Sequence, residues 1–169
     1  MKKYNYKEMQ RTILLALILL CNISANAQSP IIKKAAKAVF SLTTFKSDGS
    51  VLASAHGVFI NFDGTAVAPL SAFQGAAKAT VVDANGQASN VTVILAFNEL
   101  YNMAKFRVNG NAPAICRFAS APSIKGEDTW ILPYSIQTPE ITKAKISNVE
   151  KFNVSYNYYI YEMKAPFNT

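Results

Sequence analysis

Histidine and cysteine are the scarcest reactive side chains in this sequence. The 169 residues include one histidine, His56, and two cysteines, Cys21 and Cys116. An imidazole can act as a general base near neutral pH, and a thiolate can act as a nucleophile or a metal ligand. The residues show neither the spacing of a Cys/His metal cluster nor a glycine-rich phosphate loop nor a Gly-x-Ser-x-Gly motif. The sequence therefore implies no metal and no cofactor.

The neighbours of these residues favour unreactive roles. Cys116 lies in the apolar run Ala114–Phe118, which favours a thiol packed in the core over a nucleophile. His56 directly precedes Gly57 and the strand predicted to follow it, so we interpret it as a solvated histidine at the end of a strand.

The first 27 residues have the pattern of an export signal. A basic segment precedes the apolar run Ile13–Cys21, and the small residues Ala25-Asn26-Ala27 follow. We expect cleavage between Ala27 and Gln28 and a periplasmic or extracellular mature protein. The apolar run is too short to span a membrane, and no later segment is long enough. Lipid attachment at Cys21 is the weaker alternative, because Leu20 stands where such sites need a small residue.

Removal of this segment changes the charge and the thiol count. Four of the 17 basic residues and one of the 10 acidic residues lie in it, so the net charge falls from +7 to +4. The remaining Lys and Arg are scattered, which predicts a solvated surface and no nucleic-acid partner. Cys116 would be the only mature cysteine, so the chain would form no internal disulfide.

The mature chain has the pattern of an all-β protein. A short helix is predicted over Ile31–Val39, with Ser29 as N-cap and Pro30 in its first turn. Asp63-Gly64 predicts a hairpin turn, and Asn111-Ala112-Pro113 predicts a link to a second unit. The predicted strands of the first unit are Val39–Phe45, Gly57–Phe62, Ala66–Leu70, Ala77–Val82, Asn90–Phe97 and Met103–Val108. Those of the second are Ile115–Phe118, Thr129–Leu132, Ile141–Val149 and Tyr156–Met163. Such regular short strands predict a β-barrel.

The stretch Gly57–Ala76 resembles the first barrel of trypsin-like serine proteases of the HtrA/Deg branch. The matching residues are Gly57-Val58-Phe59-Ile60, Gly64, Val67 and Gly75-Ala76. The resemblance extends over roughly Val39–Phe167 and is looser after residue 110, where Lys125–Asp128 is similar to a Val-Gly-Asp segment of the family. It implies a trypsin-like double β-barrel, with residues 28–110 forming a complete first barrel and residues 111–169 an incomplete second one.

The resemblance also implies where the catalytic groups would lie. The family's histidine falls on Ser71, and its aspartate falls on Asn102, the first residue of Asn102–Val108. The family's nucleophile loop, of the Asn-Ser-Gly-Gly type, occurs nowhere, and Tyr159–Thr169 occupies the approach to it. Lys105 could be proposed as the base of a Ser-Lys pair, but a lysine on a strand usually points to water.

These substitutions predict an exported, non-catalytic protease homologue that acts by binding protein or peptide. The first alternative is an active serine endopeptidase whose nucleophile lies beyond residue 169. The second is an unrelated secreted β-barrel binding domain.

The strand Tyr156–Met163 is a second candidate binding feature. Tyr156 and Tyr158 would lie on one face and Tyr159 and Tyr161 on the other, a composition typical of interfaces. The bland alternative is an ordinary barrel strand that further residues cover. Because Glu162 is its only charge, we also expect this strand to promote self-association if its edge is unpaired.

Overall fold

A computed structural model of the protein describes residues 30–132, 141–153 and 157–165. Within these residues, the helix α1 (Pro30–Ala36) precedes the first strand. It ends three residues before the predicted end at Val39, because the strand pairing of β1 begins at that residue. The N-cap residue Ser29 and the predicted cleavage residues Ala27 and Gln28 lie outside the described residues. Among the described helices, none combines the length and the apolar character needed to cross a bilayer.

Six antiparallel strands form a closed barrel, which confirms the predicted β-barrel. The strands are β1 (Val39–Phe45), β2 (Val51–Phe59), β3 (Thr65–Pro69), β4 (Lys78–Val82), β5 (Ala88–Asn98) and β6 (Met103–Val108). Their order around the barrel is β1-β2-β3-β6-β5-β4. The barrel closes because β1 pairs with β2 along one edge and with β4 along the other.

Alternating side chains fill the barrel. In β1, Phe40 and Leu42 are buried, and in β6 Phe106 is fully buried, while the residues between them face outward. Three aromatic rings meet in the interior: the Phe40 centroid lies 4.7 Å from that of Phe59 and 6.0 Å from that of Phe106. Strict alternation in a closed barrel lets one face of each strand enter a common core.

The strand β2 differs most from its prediction. It begins at Val51, six residues before the predicted start at Gly57, and it ends at Phe59. The N–H groups of Ile60 and Asn61 both donate to the carbonyl oxygen of Thr65, so these residues belong to the turn and not to the strand. In consequence Phe59 enters the core, and Phe62, at the end of the predicted strand, is about half exposed.

The segment after the barrel is not the strand predicted over Ile115–Phe118. The N–H of Ala112 donates to the Phe62 carbonyl, and the N–H of Cys116 donates to the Phe59 carbonyl. These two isolated bonds hold the chain against the end of β2 without forming a ladder. Ala112 belongs to the buried barrel cluster, so the core continues past the boundary predicted at residue 110.

A three-stranded antiparallel sheet follows. Its strands are β7 (Asp128–Ile131), β8 (Thr142–Asn153) and β9 (Asn157–Lys164), in the order β7-β8-β9. Asp128 forms ion pairs with Lys143 at 2.7 Å and Lys145 at 3.4 Å, which joins β7 to β8. In the described part of the chain, β9 has a strand partner on one side only.

Candidate functional site

Ser71 occupies a single 3-10 turn that follows β3. The turn spans Leu70–Ala72 and is closed by the N–H of Phe73, which donates to the Leu70 carbonyl at 2.9 Å. Ala72 is buried and Ser71 is exposed. The turn is therefore anchored by its alanine and presents the serine to solvent.

Asn102 occupies the connection between β5 and β6. Its backbone is in the left-handed region, with φ of 48°, and its N–H donates to the Glu99 carbonyl at 3.1 Å. Asparagine tolerates this conformation better than most residues that carry a Cβ. Asn102 directly precedes Met103, and Met103 pairs with Pro69 at the end of β3. Asn102 therefore lies close to the turn that follows β3.

The fold brings Ser71 and Asn102 into direct contact. The Ser71 N–H donates to Asn102 Oδ1 at 2.8 Å, and Asn102 Nδ2 donates to Ser71 Oγ at 3.1 Å. A backbone bond from the Leu70 N–H to the Asn102 carbonyl, at 3.0 Å, lies beside them. The pairing of β3 with β6 sets this proximity, because it aligns the turn that ends β3 with the turn that begins β6.

The pair has little catalytic capacity. A serine hydroxyl needs an adjacent base to become a nucleophile, and the amide of Asn102 does not accept a proton at neutral pH. Instead the amide donates to Ser71 Oγ, so it engages a lone pair with which the hydroxyl would attack. The two hydrogen bonds therefore join two turns of the barrel, and we call them the Ser71–Asn102 clasp.

The other sequence candidates lie on outward surfaces. His56 is in the interior of β2, where it pairs with Ser41 of β1, and it is exposed. Its predicted place at a strand end is therefore wrong, because β2 begins earlier than predicted. Lys105 is exposed on the outer face of β6. Hydrogen bonds from Thr65 lower the pKa of Asp63 most, and the charge of Lys105 adds to this lowering. Its outward position fits the prediction of a solvated lysine.

Cys116 is half-buried beside α1. Its Sγ lies 3.8 Å from the Ala35 carbonyl oxygen, and burial raises the pKa of the thiol. A raised pKa lowers the thiolate fraction at neutral pH, which makes the side chain a poor nucleophile.

Two of the four predicted tyrosines form a stacked pair on β9. The ring centroids of Tyr159 and Tyr161 lie 6.2 Å apart with an interplanar angle of 15°, and both side chains are partly exposed. The Lys151 ammonium lies 6.0 Å from the Tyr159 centroid. Tyr156 lies outside the described residues, and Tyr158 is placed in β9 by its backbone alone.

One exposed feature was missed by sequence reasoning. The outer half of β5 carries the apolar run Val93–Phe97, in which four large side chains are 42 to 63 % exposed. The sequence does contain a pattern that indicates this exposed surface. Five consecutive apolar residues without alternation are unusual in an antiparallel strand with one solvated face.

No protein-family model matches the chain, and no curated protein matches it in sequence. Among the described residues, no group of three or more His, Cys, Asp or Glu side chains could hold a metal ion.

Proposed function

We propose that this chain is an exported, non-catalytic homologue of trypsin-like serine proteases of the HtrA/Deg branch, which acts by binding protein or peptide. Its fold would then be a double β-barrel, with the six-stranded barrel as the first half and β7–β9 as part of the second half.

The contact between Ser71 and Asn102 carries this proposal. The resemblance assigns the histidine and aspartate of the family to these two positions, which are 31 residues apart in sequence. In a working triad those two residues must hydrogen-bond, because the acid orients the base and fixes its tautomer. An accidental alignment would have no reason to select two residues that touch in the folded barrel.

The same contact supports the loss of catalysis. Serine and asparagine occupy both positions, so neither the proton acceptor nor its orienting carboxylate remains. Loss of the nucleophile or of the base alone costs about 10⁶ in turnover in serine proteases. A protein that has the fold of a protease but lacks the catalytic residues is expected to act by binding.

Labelling and digestion test the catalytic half of the proposal. The purified chain is incubated with a serine-directed fluorophosphonate probe and, separately, with casein. We expect neither labelling nor cleavage. Labelling that disappears in Ser71→Ala would instead make Ser71 an active nucleophile and would overturn the proposal.

Restoration of the two family residues tests the ancestry. In the double variant Ser71→His with Asn102→Asp, the introduced imidazole should meet a carboxylate, and its pKa should rise above the ordinary value of about 6.5. The matched control is Ser71→His alone, in which the amide of Asn102 cannot provide that attraction. Equal imidazole pKa values in the two variants, measured by NMR, would contradict the inherited geometry.

Capture of peptides tests the binding half. Tryptic peptides of casein offer many unfolded sequences, and we expect the immobilised chain to retain a subset of them. Retention of none would remove the binding role.

A further inference from the structure

Within the described residues, the second half of β5, which follows Asn90, is unpaired along one edge. β4 pairs with β5 only from Ala88 to Asn90, whereas β6 pairs with β5 as far as Asn98. Beyond Asn90 no other described strand lies along the β4 side of β5. Backbone groups that point away from a single neighbouring strand are available to pair with an added strand.

Apolar side chains surround this free edge. Ile94 is 42 % exposed and Phe97 is 63 % exposed. Two register irregularities, between Val91 and Val93 and between Ile94 and Ala96, interrupt the pairing with β6. Bulges of this kind bend a strand and change the direction of its side chains, which accounts for apolar residues at the rim of the barrel instead of in its core.

A groove lies where β4 and β5 separate, and we call it the β5 groove. The residues that line it include Phe73, Ala76, Lys78, Val93 and Ile94. A second depression shares Ala77 and Lys78 with it and continues to Phe45 and Lys46. The two depressions therefore adjoin at these shared residues, and their lining residues are of mixed apolar and basic character.

The charged side chains that line the two depressions are basic. Lys46 and Lys78 are both exposed, and no Asp or Glu side chain is among the residues that line either depression. The nearby Asp48 lies in the turn beside the second depression. Its Oδ1 accepts from the N–H and the hydroxyl of Ser50 at 2.8 and 2.7 Å, and these hydrogen bonds lower its pKa and favour the charged carboxylate. Asp48 therefore offsets part of the charge of Lys46, and Lys78 is the main cation that the carboxylates of an occupant would meet.

We propose that the β5 groove binds an extended peptide segment of a partner protein that carries acidic and apolar side chains. The segment adds a strand to the free edge of β5, its apolar side chains contact Phe73 and Ile94, and its carboxylates lie near Lys46 and Lys78. Strand addition obtains affinity from backbone hydrogen bonds and specificity from the side-chain surface beside the edge. This inference rests on the peptide-binding role proposed above and gives that role a location and a ligand chemistry.

Charge also argues against a second copy of the same chain at this edge. Two copies paired through β5 would bring together two surfaces whose charged lining residues are lysines, and the chain that remains after the predicted cleavage still carries a net charge of +4. Like charges at an interface oppose association, whereas opposite charges favour it and increase the rate of encounter.

Synthetic strands provide the probes. The first is a fluorescein-labelled acetyl-Glu-Val-Glu-Val-Glu-Val amide. The second has lysine in place of each glutamate, and the third keeps the acidic sequence but carries N-methyl groups on its backbone amides. Fluorescence anisotropy with the full chain should give a dissociation constant below about 1 mM for the acidic peptide. Both other peptides should bind at least about tenfold more weakly, because one reverses the charge and the other cannot pair as a strand.

Variants locate the binding. Lys78→Glu should weaken binding of the acidic peptide about fivefold, and its matched control is Lys37→Glu. Lys37 precedes β1, whereas the second depression adjoins the other end of that strand at Phe45, so the control should change binding less than about twofold. Ile94→Thr should also weaken binding, with the exposed Val51→Thr in β2 as its control.

The outcomes separate this inference from the proposed function. Tight binding of the N-methylated peptide, or equal binding by wild type and Lys78→Glu, would overturn the β5 groove as the site. If casein peptides are retained while the acidic probe is not, the inference fails and the binding role stands; if neither binds, both fail. Sedimentation that shows dimers abolished by Ile94→Thr would assign the edge to a second copy and would also overturn the proposal.

Discussion

The side-chain amide of Asn102 clasps Ser71 at two points, with Oδ1 2.8 Å from the Ser71 nitrogen and Nδ2 3.1 Å from Ser71 Oγ. The clasp joins the turn after β3 to the turn before β6. Ser71 and Asn102 are both exposed to solvent, so these hydrogen bonds contribute modestly to stability. Asn102 also has a left-handed backbone conformation, which few residues with a Cβ tolerate.

Asn102→Ala should lower the free energy of unfolding by about 1–3 kcal/mol. The variant loses both hydrogen bonds and places an alanine in the left-handed region. Asn102→Gly loses the same bonds but relieves the backbone, so it should cost less. Urea denaturation of both variants measures the two contributions. Equal losses in the two variants would show that the left-handed backbone imposes no cost on alanine.

Gly57→Ala should destabilise the barrel by about 1–3 kcal/mol or more. A Cβ at this position would lie 2.4 Å from Phe40 Cζ and 2.5 Å from the Val67 carbonyl oxygen, and the backbone oxygen cannot move aside cheaply. The exposed Ser54→Ala in the same strand is the matched control, with an expected change within about 0.5 kcal/mol. Thermal unfolding of the two variants decides, and similar melting temperatures would contradict the close approach.

Stability should fall in acid as the pKa of Asp63 is crossed. Hydrogen bonds from Thr65 lower this pKa most, and the charges of Arg107 and Lys105 lower it further. The folded pKa therefore lies below the unfolded value of about 3.9. The stabilisation is complete above the unfolded pKa and is lost as the pH falls through the lowered folded pKa.

Asp63→Asn should flatten this acid dependence below about pH 4. Arg107→Gln is the control that keeps the hydrogen bonds from Thr65, and it should retain most of the dependence. Urea midpoints measured at several acidic pH values test both variants. If the urea midpoint of the wild type changed with pH as little as that of Asp63→Asn, Asp63 would not be the cause of the loss of stability in acid.

The Cys116 thiol should react slowly with a disulfide reagent at neutral pH. Burial raises its pKa, so the rate should increase only at alkaline pH, beyond the ordinary thiol value of about 8.5. The measurement uses the chain with Cys21→Ser, so that one thiol is observed. The same chain in urea should react faster at neutral pH; equal rates in the folded and unfolded states would contradict a protected thiol.

Export should produce a mature chain that begins at Gln28. The basic, apolar and small-residue regions that end at Ala27 predict this cleavage. The intact mass of exported material distinguishes this cleavage from an uncleaved chain and from a chain with lipid on Cys21. A retained Met1, or a mass increase from a lipid on Cys21, would contradict it.

Local patterns predicted much of the barrel but not its turns and contacts. The predicted bounds of β1 and β6 agree with the structure. β1 is rich in β-branched and aromatic residues and is followed by a turn, and in β6 the buried Ala104, Phe106 and Val108 alternate with exposed residues. The first half of β2 was missed because Ala53 and Ala55 are too small to give a clear apolar face. The strand predicted over Ile115–Phe118 failed because an apolar run also suits an irregular segment packed on a core.

The candidate site could be predicted as a pair of positions but not as a geometry. The resemblance selected Ser71 and Asn102, yet nothing in the local sequence indicates a left-handed backbone at Asn102 or the direction of its amide. Likewise the free edge of β5 depends on where β4 stops pairing, which is a property of barrel closure and not of either strand alone.

The strand order also has a kinetic consequence. The hairpins β1–β2 and β5–β6 can form between chain neighbours, but β3 must find β6, and β1 must find β4, each across the two strands that separate them in sequence. The entropy of closing those loops is lost before burial of the core compensates for it, and topologies with such distant contacts fold slowly. The barrel should therefore fold and unfold as one cooperative unit, with the two distant pairings, β3 with β6 and β1 with β4, as its slow step.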